Sequence, residues 1–73
     1  MLGTSEYTYE IYYVDENDKV KFLMFNRNVS DEFYAVAYAF DWMLTYEESY
    51  GDIIAINIHE RYCPQNVILN IER

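Results

Sequence analysis

Residues 30–51 read SDEFYAVAYAFDWMLTYEESYG, a stretch that begins with capping residues and stops at a glycine. Ser30 can accept a hydrogen bond from a first-turn N–H, and Asp31 and Glu32 place negative charge at the positive end of a helix dipole. Val29 and Tyr34 then occupy the two positions of a hydrophobic staple, and Gly51 suits the αL residue that follows a helix end. One helix is predicted from about Asp31 to about Tyr50.

Along it Tyr34, Tyr38, Trp42, Tyr46 and Tyr50 stand four apart. Each such step drifts about 40°, so the five sweep a stripe about 160° wide. Phe33, Val36, Ala37, Phe40, Met43 and Leu44 cluster on the other side. A helix that is apolar all round needs burial on two sides, and 73 residues supply material for one covering layer. The expected arrangement packs the Phe, Met and Leu side on a sheet and turns the Tyr and Trp stripe toward a partner. The alternative is the inverted helix, since Tyr and Trp are also good core residues. Either orientation leaves outside an apolar face of the kind that marks an interaction surface. The segment from Met1 to Glu6 is too short and polar to cover it.

Outward from the helix, the sequence reads as strands. In Tyr7 to Val14 the residues Tyr7, Tyr9, Ile11 and Tyr13 share a face under a period of two. Asp15-Glu16-Asn17-Asp18 makes a turn, and Val20, Phe22 and Met24 then alternate with Lys19, Lys21 and Leu23, which completes a hairpin. Asn26-Arg27-Asn28 is expected to end the second strand. Ile53 to Arg61 alternates again, with Ile54, Ile56 and Ile58 inward and Ala55, Asn57 and His59 outward. Pro64 breaks the chain, and Val67, Leu69 and Ile71 mark a fourth strand. A right-handed crossover through the helix sets the third strand parallel to the second, with the first between them and antiparallel to both. The predicted fold is α+β, β-β-α-β(-β): one domain over residues 1–73, a small antiparallel-dominated sheet in order 2-1-3-4, and one helix packed on one face. Strands two and four are its edges, and the fourth is open to pairing with another chain.

Thirteen acidic residues against five basic ones give a net charge of −8. Direct nucleic-acid binding is disfavoured, because its affinity comes from Lys and Arg releasing counterions from phosphates. A basic protein surface is a better partner, and basic cellular surfaces are largely those that hold DNA or RNA. Acidity also serves solubility in a chain with nine tyrosines. Cys63 stands alone, so no internal disulfide forms and a reducing, cytoplasmic setting is expected. Met1-Leu2-Gly3-Thr4 has neither a basic n-region nor an apolar h-region, Gly3 is misplaced for myristoylation, and no apolar run approaches the roughly 20 residues that span a bilayer.

Sites for chemistry are scarce. The Asp15–Asp18 cluster resembles the start of a calcium loop, but Lys19 falls on the fifth ligand position and Val20 where glycine is required. His59 and Cys63 do not complete a four-coordinate metal site, and nothing signals a third group to orient them as a nucleophilic pair. Glu47 and Glu48 lie on different sides of the helix. Two glycines cannot make a phosphate loop. The aromatic stripe is flanked by Asp31, Asp41, Glu48 and Asp52, which argues against stacking on nucleic-acid bases. Aromatics among carboxylates suit instead a groove lined by Arg, Lys and apolar side chains. No catalytic residue, metal or cofactor is implied. The expected partner-binding set is Tyr34, Tyr38, Trp42, Tyr46, Tyr50, Asp31, Asp41 and Glu48.

In size, acidity and lack of catalytic residues, the whole chain resembles small bacteriophage-encoded inhibitors of host machinery, such as anti-CRISPR proteins and inhibitors of restriction or transcription enzymes. Some of these imitate nucleic-acid charge. The resemblance implies a non-enzymatic inhibitor acting in the host cytoplasm on a basic, nucleic-acid-binding protein surface. The other expectation is a homo-oligomer, such as a homodimer, or an accessory subunit in which the aromatic helix face is an assembly interface.

Overall fold

A computed structural model describes residues 5–49 and 51–72. Four strands form one sheet, β1 (Ser5–Val14), β2 (Val20–Val29), β3 (Ile53–Glu60) and β4 (Cys63–Glu72), with the single helix α1 (Glu32–Ser49) between β2 and β3. The sheet order is β2-β1-β3-β4, and every neighbouring pair is antiparallel. Chirality and strand periodicity predict this order, and it is the one observed.

The sheet residues facing the helix form the core. Tyr7, Tyr9 and Ile11 of β1 lie beside Ile56 and Ile58 of β3, and all five are buried. A register shift between Tyr12 and Tyr13 brings Ile53 into the core in place of the expected Ile54. On β2, Leu23 and Phe25 face the helix, while Val20, Phe22 and Met24 stand on the bare side.

The helix is turned well away from the expected orientation, although Met43 stays inward and Tyr34 outward as expected. Its buried residues are Ala35, Ala39 and Met43, whereas Phe33, Phe40 and Leu44 are exposed. Tyr38, Trp42 and Tyr46 pack against the core. The physical reason is the pair of alanines. Small side chains let the helix backbone lie close to the sheet, and the Tyr9 hydroxyl stands up from β1 to donate a hydrogen bond to the Ala35 carbonyl at 2.7 Å. With that contact fixed, the aromatics on the β2 flank reach down onto Phe25, which lies 6.3 Å from Tyr38 and 6.0 Å from Trp42 between ring centroids.

Several boundaries also differ from expectation. The cap is Asp31 rather than Ser30: its Oδ1 accepts the Tyr34 N–H at 3.1 Å, so the Val29–Tyr34 staple is out of register. At the far end Gly51 has φ 143°, outside αL but still in territory that favours glycine, because an added Cβ would meet the Val14 carbonyl. Asn26, Arg27 and Asn28 lie within β2, paired with Thr8, Tyr7 and Glu6. Pro64 lies within β4, where a missing N–H is tolerated on a sheet edge. Tyr50 and Met1–Thr4 lie outside the described residues.

Burial pushes the Tyr9 phenol up to about 12 from its ordinary 10.0, and Arg27 nearby only partly opposes this. Tyr7 shifts the same way, again mainly through burial. A raised phenol pKa means that the unfolded chain ionises first, so the stability is complete below pH 10.0 and is lost as pH climbs toward about 12. Denaturant melts in that window should lose about 1.4 kcal/mol per pH unit from Tyr9. Tyr9→Phe should remove one proton from the dependence. An unchanged slope in that variant would show that Tyr9 titrates as it does in the unfolded chain.

Candidate functional site

The rotation of the helix makes its outer surface the candidate site. Phe33, Ala37, Phe40 and Leu44 follow the helical repeat along it, and Phe33 and Leu44 are 74% and 69% exposed. Asp41 and Glu48 border this apolar strip on one side, with Tyr34 beyond them. Asp41, Glu48 and Tyr34 are all exposed.

Charge is distributed unevenly around this surface. No Lys or Arg occurs between Arg27 and Arg61, and the helix with its flanks carries Asp31, Glu32, Asp41, Glu47, Glu48 and Asp52. The last helical turn has no basic residue, although the negative end of the dipole favours one there by about 0.3–1 kcal/mol. Two carboxylates, Glu47 and Glu48, sit at that end instead, and Glu47 accepts the Ile53 N–H at 3.3 Å. Among the described residues no cation pairs with Asp41 or Glu48, and three of the basic side chains are engaged elsewhere. Lys21 lies 3.9 Å from Asp15, Arg61 pairs with Glu6, and the Arg27 guanidinium stacks 3.9 Å above the Tyr38 ring.

The predicted partner-binding residues therefore divide. Tyr34, Asp31, Asp41 and Glu48 are exposed, although Asp31 also caps the helix. Tyr38, Trp42 and Tyr46 are half-buried in the protein's own packing, with Trp42 stacked on Tyr46 at 4.2 Å and Tyr46 edge-on to Tyr13 at 5.0 Å. Tyr50 is outside the described residues. Phe33, Phe40 and Leu44 take their place on the outer face, where only the alternative reading of the sequence put them. The signal that could have found them is Ala35 and Ala39, four apart and central to the inward side.

Elsewhere the polar side chains are engaged with one another. His59 Nε2 lies 3.5 Å from Glu10 Oε1, and its Nδ1 lies 2.8 Å from the Glu60 carbonyl, which can only accept and so places a proton on Nδ1. Glu10 also accepts from Asn57, and Asn57 from Asn70, both at 2.9 Å. Cys63 is a half-buried free thiol, and among the described residues no hydrogen bond joins it to His59. No group of three potential metal ligands occurs among the described residues. Two clefts, of about 430 and 260 Å³, lie at opposite ends of the sheet, and the larger of them is lined by Ser5, Glu6, Asn28, Glu60 and Tyr62. No described helix is long and apolar enough to cross a membrane.

Compared with models of protein families, with curated proteins and with solved structures, the chain finds no match.

Proposed function

We propose that this protein is a non-enzymatic inhibitor, of the kind phages direct at host machinery, that lays the outer face of α1 on a basic, nucleic-acid-binding surface of another protein. The observation that carries the reading is an exposed apolar strip, Phe33–Phe40–Leu44, bordered by uncompensated Asp41 and Glu48 on a helix without a single basic residue. Such a surface supplies desolvated aromatic contact at its centre and electrostatic steering from its rim. Self-assembly through the same face is the poorer reading, because two copies would oppose acidic helices with no Lys or Arg to separate them.

The test uses immobilised protein and a bacterial lysate, followed by kinetics on the purified partner. The expected partner is a nucleic-acid-binding protein, released by its own DNA or RNA as competitor. Its association rate should fall about tenfold or more as salt rises from low to physiological strength. The triple change Asp31→Lys, Asp41→Lys, Glu48→Lys should slow association similarly, and all three positions are exposed. Asp31→Lys also removes the cap, at about 1 kcal/mol of stability, so Asp41→Lys with Glu48→Lys serves as the cap-preserving control. A rate indifferent to salt and to both variants would leave the acidity as a solubility device.

A further inference from the structure

Among the described residues, the side of the sheet opposite the helix has no covering layer. Its cross-strand rows can be read from the register: Phe22–Tyr12–Ala55–Glu72, then Met24–Glu10–Asn57–Asn70, then Asn26–Thr8–His59–Val67. The half near the β1–β2 turn is apolar. Val20, Phe22, Met24 and Tyr12 are 63%, 49%, 56% and 42% exposed, and the Tyr12 and Phe22 rings lie 4.8 Å apart.

The other half is polar, and its groups satisfy each other. Thr8 donates to Asn26 at 2.6 Å, Asn57 to Glu10 and Asn70 to Asn57 at 2.9 Å, and His59 sits 3.5 Å from Glu10. Glu6, at the end of the same face, pairs with Arg61. Covering such a face strands few unpaired polar groups, which is the usual cost of burying polar surface.

We infer that this open sheet face is the interface between two copies of the chain, packed sheet on sheet about a two-fold axis into a four-layer helix–sheet–sheet–helix dimer. Charge selects the occupant. With a net charge of −8, two copies can meet only through a surface nearly free of uncompensated carboxylate. On β2 the bare face carries Val20, Phe22, Met24, Asn26 and Asn28, none of them charged; Glu6 pairs with Arg61, Glu10 accepts from Asn57, and Glu72 lies at the β4 corner, at the far end of its row from Phe22. The acidic helix is left on the outside of both copies. Size agrees as well: three strands of ten residues, about 33 Å long, and one of eight, in a sheet of four about 19 Å wide, present about 600 Å² in projection. That is of the order of the roughly 800 Å² per partner in a stable complex.

Sedimentation equilibrium through the micromolar range should give twice the monomer mass for the wild type. Phe22→Asp should raise the dimer dissociation constant about 100-fold or more, as a charge at the centre of an interface does, while Phe33→Asp on the outer helix leaves it unchanged. Should Phe22→Asp fail to fold, the wild type decides the matter through the ¹³C-labelled Met24 methyl. A soluble gadolinium chelate should spare that signal in concentrated solution and broaden it on dilution, with buried Met43 spared throughout. A wild-type monomer, a dimer lost through Phe33→Asp instead, or a dimer whose Met24 methyl is broadened at every concentration would overturn the inference. The last result would point to pairing along the β4 edge.

Discussion

Replacing Tyr9 with alanine should unfold most of the population at physiological temperature. Tyr9 has no exposed surface, stacks on Phe25 at 4.9 Å, meets Tyr38 edge-on at 5.6 Å and donates to the Ala35 carbonyl at 2.7 Å. It thus joins β1, β2 and α1 by direct contact, at the centre of a cluster with Phe25 and Tyr38. Truncating a buried aromatic ring costs about 3–5 kcal/mol, and a chain of this size rarely holds more than about 5 kcal/mol in total. Tyr9→Phe keeps the ring and removes only the hydroxyl, so it should cost about 1 kcal/mol. Urea melts followed by circular dichroism give both values. A Tyr9→Ala loss below about 2 kcal/mol would mean that the helix does not depend on this contact.

The second large effect separates the two orientations of the helix. Ala39→Leu should destabilise the fold by about 2–3 kcal/mol, because Ala39 is 2% exposed and the helix backbone there lies too close to the sheet for three more carbons. Trp42→Ala should cost about 2 kcal/mol by removing the ring stacked on Tyr46 and packed toward Phe25. Phe40→Ala should shift stability by about 0.5 kcal/mol or less, since Phe40 is 43% exposed and alanine is the better helix former. With the Phe, Met and Leu side inward, the order would reverse: Phe40→Ala would unfold the protein, and Ala39→Leu would be tolerated. Thermal melts of the three variants decide between the orientations, and the result also fixes which surface is available to a partner.

The consequence for function is a division of labour between faces. The helix exterior combines exposed apolar side chains with unpaired negative charge, which suits a basic partner. The β1–β2 half of the bare sheet face is apolar and uncharged and the rest is largely internally hydrogen-bonded, which suits a second copy. The two proposals use different residues, so Phe22→Asp and the Asp41→Lys, Glu48→Lys pair test them independently.

Element types, their order and the sheet topology were legible in the sequence. Alternation in Tyr7–Val14 and in Ile53–Arg61, the Asp15–Asp18 turn and the helical stretch to Gly51 are local signals, and crossover handedness does the rest without knowledge of side-chain packing. Only the tertiary structure decided which way the helix faces. A helix apolar on nearly every side carries almost no preferred direction, so its rotation is set by fit, and here fit means the short side chains of Ala35 and Ala39 beneath the Tyr9 hydroxyl. Counting hydrophobic bulk favours Phe33 and Phe40 as core; steric room at the contact favours alanine. For the same reason the extent of β2 through Asn26–Asn28 and of β4 through Pro64 was not legible, since pairing with Thr8, Tyr7 and Glu6, or a place on a sheet edge, overrides local propensity. The candidate site followed the helix: its acidic residues were readable from sequence, whereas its apolar centre depended on a rotation that packing alone selects.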